Sequence, residues 1–407
     1  MRLSRIDIYT SLLAVYLAYS TIANFSVYYI GVIPKFFIIV LLCICGLIIR
    51  PSIIAKERNY NSILFILGWG IIFFISLFIN GIFPRALLIS GFVICLLILS
   101  LKTDIQISVF RKFVWIISIL FLLSAIEYIT YIVFGKGFII ATVTRVTVAR
   151  ERPFYHYLFN IMYADDILYR FKGLCPEPGN MGTLCAFMLF ATWRIKSLRF
   201  PFFVFLICGM MSLSLAYYIF LFVFLITSVK PNVKNILIGV VVFAAFIFVF
   251  RDYFEGRLVN RLTKVDDVEE LDNRTTDTFD RYFNKAFDND ELWFGVGSDN
   301  LPPQIYYNNE GGNAGAKKWI YQYGIIGFVI IFYIYNIIYY RRCKKYLCYH
   351  DVVFLVVYWA CFYKSVVFTT PSLFIIFIMM PFVNKGSKSK ITPISRKHEI
   401  KYNHSIL

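Results

Sequence analysis

The eleven residues RFKGLCPEPGN, at positions 170–180, combine charges, prolines and glycines in a chain that is otherwise strongly apolar. Arg170 and Lys172 lie just before Pro178, and proline fits well in the first turn of a helix. The free N–H groups of such a helix start, together with the two cations, would form a positive field that suits a phosphate. Glu177 adds a carboxylate that could accept a proton. The alternative interpretation is a loop that only anchors the chain at a membrane interface.

A second polar stretch, LDNRTTDTFDRYF, contains Arg274 and Arg281. Residues seven apart share a face of a helix, and two arginines are well suited to clamp a diphosphate. The alternative interpretation of this stretch is a solvated helix whose charges are balanced by salt bridges. Farther along, Gly295 and Gly297 lack the strand–helix context of a nucleotide-binding loop, so we predict a tight turn there.

These polar stretches interrupt a chain of 407 residues that is 59% hydrophobic and 16% charged. Such a composition requires lipid to cover the apolar surface, and it predicts a polytopic membrane protein. Residues 135–177 and 251–316 hold 18 of the 24 acids but 13 of the 41 bases. Bases concentrated outside these two segments follow the positive-inside rule, so the net charge of +17 does not indicate nucleic-acid binding.

The apolar runs predict an all-α fold of about 12 transmembrane helices with both termini in the cytoplasm. Residues 1–384 form one membrane domain, and 385–407 form a basic cytoplasmic tail. Two long external loops, 135–177 and 251–316, are expected to carry function because loops of that length usually do. The expected spans are 6–24, 30–49, 62–80, 82–101, 113–134, 178–193, 200–229, 235–250, 318–340 and 351–383.

The run 200–229 is long for one span and short for two. If it crossed the membrane once, the later basic clusters would lie outside. We therefore expect it to break near Ser212 and Ser214 and to return, either as two short spans or as a hairpin. The run 351–383 is expected to cross and return in the same way, with its break near Pro371. Whether these pairs are full spans or re-entrant is left open.

Two charged residues lie inside apolar runs, Glu127 and Lys364. Each needs an internal partner and is a functional candidate, although a structural contact or snorkelling would also explain it. The sequence shows no His, Cys and Asp cluster with metal-ligand spacing, and no Ser-His-Asp arrangement with support. We expect no cofactor, no metal and no disulfide framework among the cysteines.

The order of these motifs resembles the bacterial O-antigen polymerase (Wzy) and O-antigen ligase families over most of residues 120–345. The resemblance is carried by R-x-x-G-x-x-x-E-P at Arg170, Gly173, Glu177 and Pro178, the serine-containing break, FGVGSDN, and YGIIGF from residue 323. It implies a GT-C-like glycosyltransferase in the bacterial inner membrane, with its active site on the periplasmic side. The substrates would be undecaprenyl-diphosphate-linked oligosaccharide repeat units, and neither a nucleotide sugar nor a metal would be required.

One departure from the family pattern bears on the reaction. Members often have His-Asn before the glycine that corresponds to Gly324, whereas here Asn313 is followed by Ala314. Because the histidine matters more in ligases, its absence favours a polymerase, and it leaves the catalytic base open.

The expected catalytic groups are Arg170, Glu177, Arg274 and Arg281. Substrate contacts are expected from Lys172, Gly173, Pro178 and Asn313. A separate chain-length regulator protein is the expected partner, besides the lipid bilayer. The alternatives are a ligase that transfers glycan to lipid A-core, a lipid-linked oligosaccharide flippase or polysaccharide exporter, and a structural membrane protein.

Overall fold

The fold is a mostly helical bundle with one small antiparallel sheet. The computed structural model describes residues 4–22, 33–54, 60–81, 88–135, 141–147, 150–163, 171–175, 177–228, 277–297, 315–343, 348–364 and 370–388. The expected span 235–250 and the basic tail from residue 389 lie outside these residues.

The helices follow the apolar runs of the sequence closely. Two π-helical turns occur among the described residues: Ile75–Ile79 ends the third helix, and Leu88–Val93 precedes the fourth. The helices are α1 Arg5–Thr21, α2 Ile33–Ile53, α3 Tyr60–Ile79, α4 Ile94–Ser100, α5 Thr103–Phe134, α6 Pro178–Thr192, α7 Arg199–Met211, α8 Leu215–Ser228, α9 Asp277–Asp288, α10 Gly315–Cys343, α11 Tyr349–Lys364 and α12 Pro371–Lys388.

Three of these helices, α3, α5 and α10, are long and apolar enough to cross a membrane. Several shorter helices, among them α8, α11 and α12, are apolar too. Large apolar side chains stand exposed on the outside of the bundle, including Leu67, Phe78, Val133, Phe134 and Tyr333. An apolar exterior of this kind is stable in lipid and not in water, so the fold is that of a membrane-embedded protein.

Both expected breaks are confirmed. Helix α7 ends at Met211 and α8 begins at Leu215, so the run 200–229 forms two short helices of 13 and 14 residues. The connecting Leu213 has a φ of 48°, a left-handed conformation that ends the helix. Helix α12 begins at Pro371, since proline is tolerated at a helix start.

Polar contacts fix one end of the bundle. Lys112 of α5 donates to the backbone oxygen of Asp7 at 2.9 Å and to the Thr10 hydroxyl at 2.7 Å, so α1 and α5 start at the same end. Arg342, near the end of α10, donates to Gln106 Oε1 of α5 at 3.0 Å. We call this the basic end, defined by Lys112 and Arg342. The opposite end, where α5 finishes and α10 begins, is called the loop end.

Ring and methyl contacts then give the helix directions. Helix α3 runs antiparallel to α10, α11 runs antiparallel to α10, and α12 runs parallel to it; α7 runs parallel to α5. The pairs that establish this are Phe65 with Tyr335, Ile72 with Gly327, Phe328 with Phe362, Tyr339 with Phe354, Tyr335 with Phe374, Tyr339 with Phe377, Trp115 with Phe200, and Phe121 with Phe205.

Helix α6 is the buried centre of the bundle. From Met181 to Thr192 every residue of this helix is buried. It packs against α7, α8, α11 and α12. Phe187 contacts Tyr358 and Phe190 contacts His350, so α6 runs antiparallel to α11 and its N-terminus lies at the loop end. Because it meets protein on all sides, it can be apolar all round without facing lipid.

The first long loop contains a sheet that the sequence analysis did not predict. Strands β1 Ala141–Thr147, β2 Arg150–His156 and β3 Ile161–Tyr163 form an antiparallel sheet in the order β1-β2-β3. The expectation of an all-α fold therefore needs this correction. Threonines and valines alternate in β1, a pattern that favours a strand and lies among the charges and prolines of this loop.

Candidate functional site

The RFKGLCPEPGN stretch leads directly into the central helix. Pro178 is the first residue of α6, and Glu177 is its N-cap with extended backbone angles of −140° and 151°. The Glu177 carbonyl accepts N–H bonds from Asn180 and Met181, both at 3.1 Å. Among the described residues its carboxylate makes no capping hydrogen bond, and it is exposed. An exposed carboxylate is thus held at the loop end, above the centre of the bundle.

The residues before Glu177 are buried rather than surface-exposed. Phe171, Leu174 and Cys175 are core residues, and Lys172 is only 3% exposed. Gly173 adopts a φ of 51°, a value that glycine reaches without strain. The sequence predicts that Lys172 belongs to a positive field open at the membrane surface, whereas the structure buries it inside the protein. Its proposed contact with substrate stays a prediction.

This segment, residues 171–175, is anchored on two sides. The Phe171 N–H donates to the Met211 carbonyl at the end of α7, at 3.4 Å. The Gly173 carbonyl accepts the Ile161 N–H of β3, also at 3.4 Å. The Phe171 ring packs edge-on against Tyr128 of α5, with 5.2 Å between the ring centroids. The α7–α8 break and the sheet therefore meet at the start of the central helix.

The serine-containing break packs directly on α6. Ser212 and Ser214 are buried, and a Cβ added at Gly182 would come within 2.9 Å of Ser212 Oγ and 2.7 Å of Ser214 Cβ. Any residue larger than glycine at position 182 would push the break away from the helix. The sequence indicated the break but gave no sign that it packs on this turn of α6.

Glu127 has the internal partner that its place in an apolar run required. Its two carboxylate oxygens accept the N–H groups of Leu158 and Phe159, each at 2.8 Å. These residues follow β2, so α5 holds the base of the sheet through a half-buried carboxylate. The side chain of Lys364, the other charged residue of the apolar runs, lies outside what the structure describes.

The second polar stretch forms an amphipathic helix at the loop end. Helix α9 carries Arg281 on its exposed side, while Phe279 and Ala286 are buried against Tyr321 and Leu292. Lys317 of α10 pairs with Asp280 at 3.2 Å. Arg281 lies on a helix, whereas the expectation that Arg274 shares this helix concerns a residue outside the described part of the chain. The ion pair fits the interpretation of a solvated helix with balancing charges.

A glycine contact fixes the end of the second loop to α10. Gly295 and Gly297 have φ values of 79° and 100°, which confirms the predicted tight turn. Val296 and Gly297 donate their N–H groups to the Tyr321 and Gln322 carbonyls at 2.7 Å and 3.1 Å. The GVG and YGIIG motifs, far apart in sequence, therefore pack on each other.

Asn80, at the end of α3, donates its side-chain amide to the Phe294 carbonyl at 3.4 Å. This bond, with the helix directions, puts the described part of the second loop at the loop end. Glu177 and Arg281, which come from the two different polar loops, are thus at the same end of the bundle. Arg170, Arg274 and Asn313 lie outside the described residues, so their placement stays a prediction.

The surroundings of Cys175, just before the start of α6, are apolar. Its thiol lies 3.7 Å from the Met181 sulfur, and burial raises the pKa of the Cys175 thiol to about 12. A thiol that stays protonated is a poor nucleophile. Within the described parts of the chain, no three His, Cys, Asp or Glu side chains are grouped as a metal ion would need.

The site therefore consists of an exposed carboxylate at the start of a buried helix, with an arginine-bearing helix at the same end of an apolar bundle. A comparison with known protein families and with curated proteins finds no match to this chain.

Proposed function

We propose that this protein is an O-antigen polymerase of the bacterial inner membrane. It transfers a growing glycan from undecaprenyl diphosphate onto the terminal sugar of a new lipid-linked repeat unit. This proposal rests on the motif order described above and on the arrangement of the two polar loops. It needs no nucleotide sugar, metal or other cofactor.

In the proposed reaction a hydroxyl of the acceptor sugar attacks the anomeric carbon of the donor glycan. The bond between that carbon and the diphosphate oxygen breaks as the new glycosidic bond forms. Undecaprenyl diphosphate leaves with the electron pair. Glu177 accepts the hydroxyl proton or orients an arginine. Arg170, Arg274 and Arg281 stabilise the charge on the leaving diphosphate, and one such preorganised donor is worth about 3–4 kcal/mol in a transition state.

One observation carries the proposal: Glu177 and Arg281 lie at the same end of one apolar bundle. A polymerase must place its carboxylate and its cations on the same side of the membrane, because both act on one lipid-linked diphosphate. The apolar exterior would accommodate the polyprenyl chains next to this end. Lys172, Gly173, Pro178 and Asn313 are proposed to line the path of the substrate.

Sidedness is proposed from charge. The positive-inside rule assigns the basic end to the cytoplasmic side of the membrane, so the loop end is assigned to the periplasmic side. The directions of α1, α3, α5, α7 and α11 in one sense, and of α6, α10 and α12 in the other, are those that alternating crossings require. They support about 12 crossings of the membrane with the active site on the periplasmic face.

The lipopolysaccharide banding pattern of a deletion strain tests the function. A polymerase deletion leaves lipid A-core capped with a single repeat unit, and the plasmid-borne gene restores the ladder. Loss of every repeat unit in the deletion strain would instead indicate a ligase or a flippase. An unchanged ladder would contradict all three activities. A chain-length regulator protein, the expected partner, would alter the ladder's modal length but not its presence.

A further inference from the structure

The strongest unassigned feature of the chain is the half-buried carboxylate of Glu127. It lies in the last third of α5, well inside the apolar run, and is only partly buried from solvent by the loop above it. A carboxylate at that depth is costly unless it is fully hydrogen-bonded. Its two oxygens each accept a backbone N–H at 2.8 Å, from Leu158 and Phe159.

The same turn of α5 makes further contacts with this loop. Ser124, three residues before Glu127, donates its hydroxyl to the Phe159 carbonyl. The Ser124 carbonyl accepts from the Asn160 side chain at 3.4 Å. Asn160 is 1% exposed, and its Oδ1 accepts the N–H of Ile161 at 3.1 Å. Residues 158–161 are therefore held to α5 through both backbone and side chains.

This loop in turn holds the segment before Glu177. The Ile161 N–H also donates to Gly173, and a Cβ added at Gly173 would lie 3.3 Å from Ser124 Oγ. Phe171 packs on Tyr128, the residue after Glu127. One face of α5 thus contacts both the base of the sheet and the 171–175 segment. From Cys175 the chain has only one residue to cross before it reaches Glu177.

We propose that Glu127 is a positioning residue for Glu177. By fixing residues 158 and 159 it holds the base of the sheet, and through Ile161 and Gly173 it holds the segment that sets the start of α6. This inference rests on the proposed glycosyl transfer at Glu177. Glu127 itself touches neither the acceptor hydroxyl nor the diphosphate in this assignment.

Glu127→Gln is the direct test, because glutamine keeps the size but has one acceptor oxygen where two N–H groups need acceptors. One charge-assisted bond is lost, and the amide opposes an N–H with another donor. Ser124→Ala is the second variant, in case Glu127→Gln does not fold; it removes one contact of the same turn. Asp104→Asn, which removes a carboxylate from the exposed start of the same helix, is the matched control.

Two readouts on the full-length protein separate positioning from function. The first is the rate of maleimide labelling at Cys175, resolved by peptide mass spectrometry, because this thiol is buried in the 171–175 segment. We expect about tenfold faster labelling in Glu127→Gln, since loss of one bond to a charged group shifts local opening by about that factor. Asp104→Asn is expected to label like the unmodified chain.

The second readout is polymerisation of a synthetic undecaprenyl-diphosphate repeat unit by purified protein. We expect kcat to fall by about 100-fold in Glu127→Gln with KM little changed, because misplacement of a reacting group by about 1 Å has that cost. Ser124→Ala should change both readouts in the same direction by a smaller factor.

The outcomes are distinguishable. If labelling and kcat are unchanged in Glu127→Gln and Ser124→Ala while Glu177→Gln abolishes polymerisation, the positioning role is wrong and the proposed function stands. If labelling rises but no Glu177 variant affects polymer formation, the contact holds, while the catalytic role of Glu177 and the positioning role that depends on it are wrong. If the purified unmodified protein forms no polymer, the proposed function itself is wrong. Faster labelling together with a loss in kcat supports both.

Discussion

Gly295 and Gly324 lie backbone to backbone where the second loop meets α10, with φ values of 79° and 78°. A Cβ added at Gly295 would lie 2.5 Å from the Gly324 nitrogen, and a Cβ at Gly324 would overlap the Trp293 carbonyl. With a ψ of 166°, Gly324 occupies a region that is essentially restricted to glycine. The contact explains why the GVG and YGIIG motifs both need their glycines.

Gly324→Ala is therefore expected to separate the loop from α10. Backbone strain and overlap together should lower the free energy of unfolding by at least about 2 kcal/mol. Thermal unfolding of the detergent-solubilised protein measures this, and the ladder of the complemented strain should shorten or vanish. Gly70→Ala is the control, since Gly70 is an exposed helical glycine with no atom within 4 Å of an added Cβ. Equal behaviour of the two variants would contradict the contact.

Arg281→Ala should remove long polymer while leaving the fold intact. Arg281 is exposed on α9, so its replacement by alanine leaves no cavity in the core. If it stabilises the leaving diphosphate, the polymerisation rate should fall by about 100- to 1000-fold. Lys285→Ala, an exposed cation one turn later on the same helix, should keep the ladder. A normal ladder in Arg281→Ala would remove this arginine from the site.

Glu177→Gln tests the carboxylate. The change keeps the N-cap geometry, because the bonds to Asn180 and Met181 use the Glu177 backbone carbonyl and not its side chain. Loss of a proton acceptor should lower the rate of polymerisation by about 100- to 10,000-fold. Purified protein and a synthetic lipid-linked repeat unit give the rate. Activity close to that of the unmodified chain would assign the base to another group.

Gln106→Leu should destabilise the basic end. The Gln106 amide donates to the Ile98 carbonyl at 2.7 Å and the Leu101 carbonyl at 3.0 Å, and its oxygen accepts from Arg342. Leucine would leave these buried groups without those bonds, at a cost of about 2–4 kcal/mol in the free energy of unfolding. The control is Arg341→Ala, which removes an exposed cation stacked on Tyr60 and should cost at most about 1 kcal/mol. Comparable losses in both would contradict the burial argument.

Alkylation of Cys175 should be far slower in the native protein than in the unfolded chain at every pH between 7 and 9. Because burial raises the pKa of this thiol to about 12, the thiolate stays scarce between pH 7 and 9. In the unfolded chain an ordinary cysteine has a pKa of about 8.5, so labelling there should level off above that value, whereas native labelling should still be rising at pH 9. Peptide-resolved labelling in folded and denatured samples measures the difference. Native labelling that is as fast as in the unfolded chain, or that levels off near pH 8.5, would mean that the 171–175 segment is open to solvent.

Much of the helical layout could be predicted from the sequence. Pro178 and Pro371 each begin a helix, and the serines near position 212 mark a break, because these are local properties of the backbone. The sheet at 141–163 was missed since strand pairing depends on residues that are apart in sequence. The expected spans 82–101 and 113–134 leave residues 103–112 as a loop, whereas α5 continues through them; Gln106 bonds to Leu101 and to Arg342 of α10, and Lys112 bonds to Asp7 of α1.

The residues of the candidate site likewise include some whose placement could be predicted from the sequence and some whose placement could not. The sequence identified Glu177 and Arg281 as exposed polar groups near helices, and both are exposed. It also placed Lys172 at the surface, where the structure buries it, because a run of charges does not reveal which of them folds inward. The position of Glu127 inside an apolar run indicated that it needs an internal partner. The backbone N–H groups that its carboxylate accepts come from a turn about 30 residues later, which the sequence does not indicate.

The sequence by itself determined the membrane environment, the helix starts at prolines, and which ends of the helices carry the bases. These features are local: hydropathy and charge depend on neighbouring residues, and proline restricts the backbone at its own position. Tertiary structure alone decided that α6 is the central helix, that Gly295 meets Gly324, and that Glu127 holds the loop beside the 171–175 segment. Those relationships join residues far apart along the chain, and only the packing of the whole bundle brings them within bonding distance.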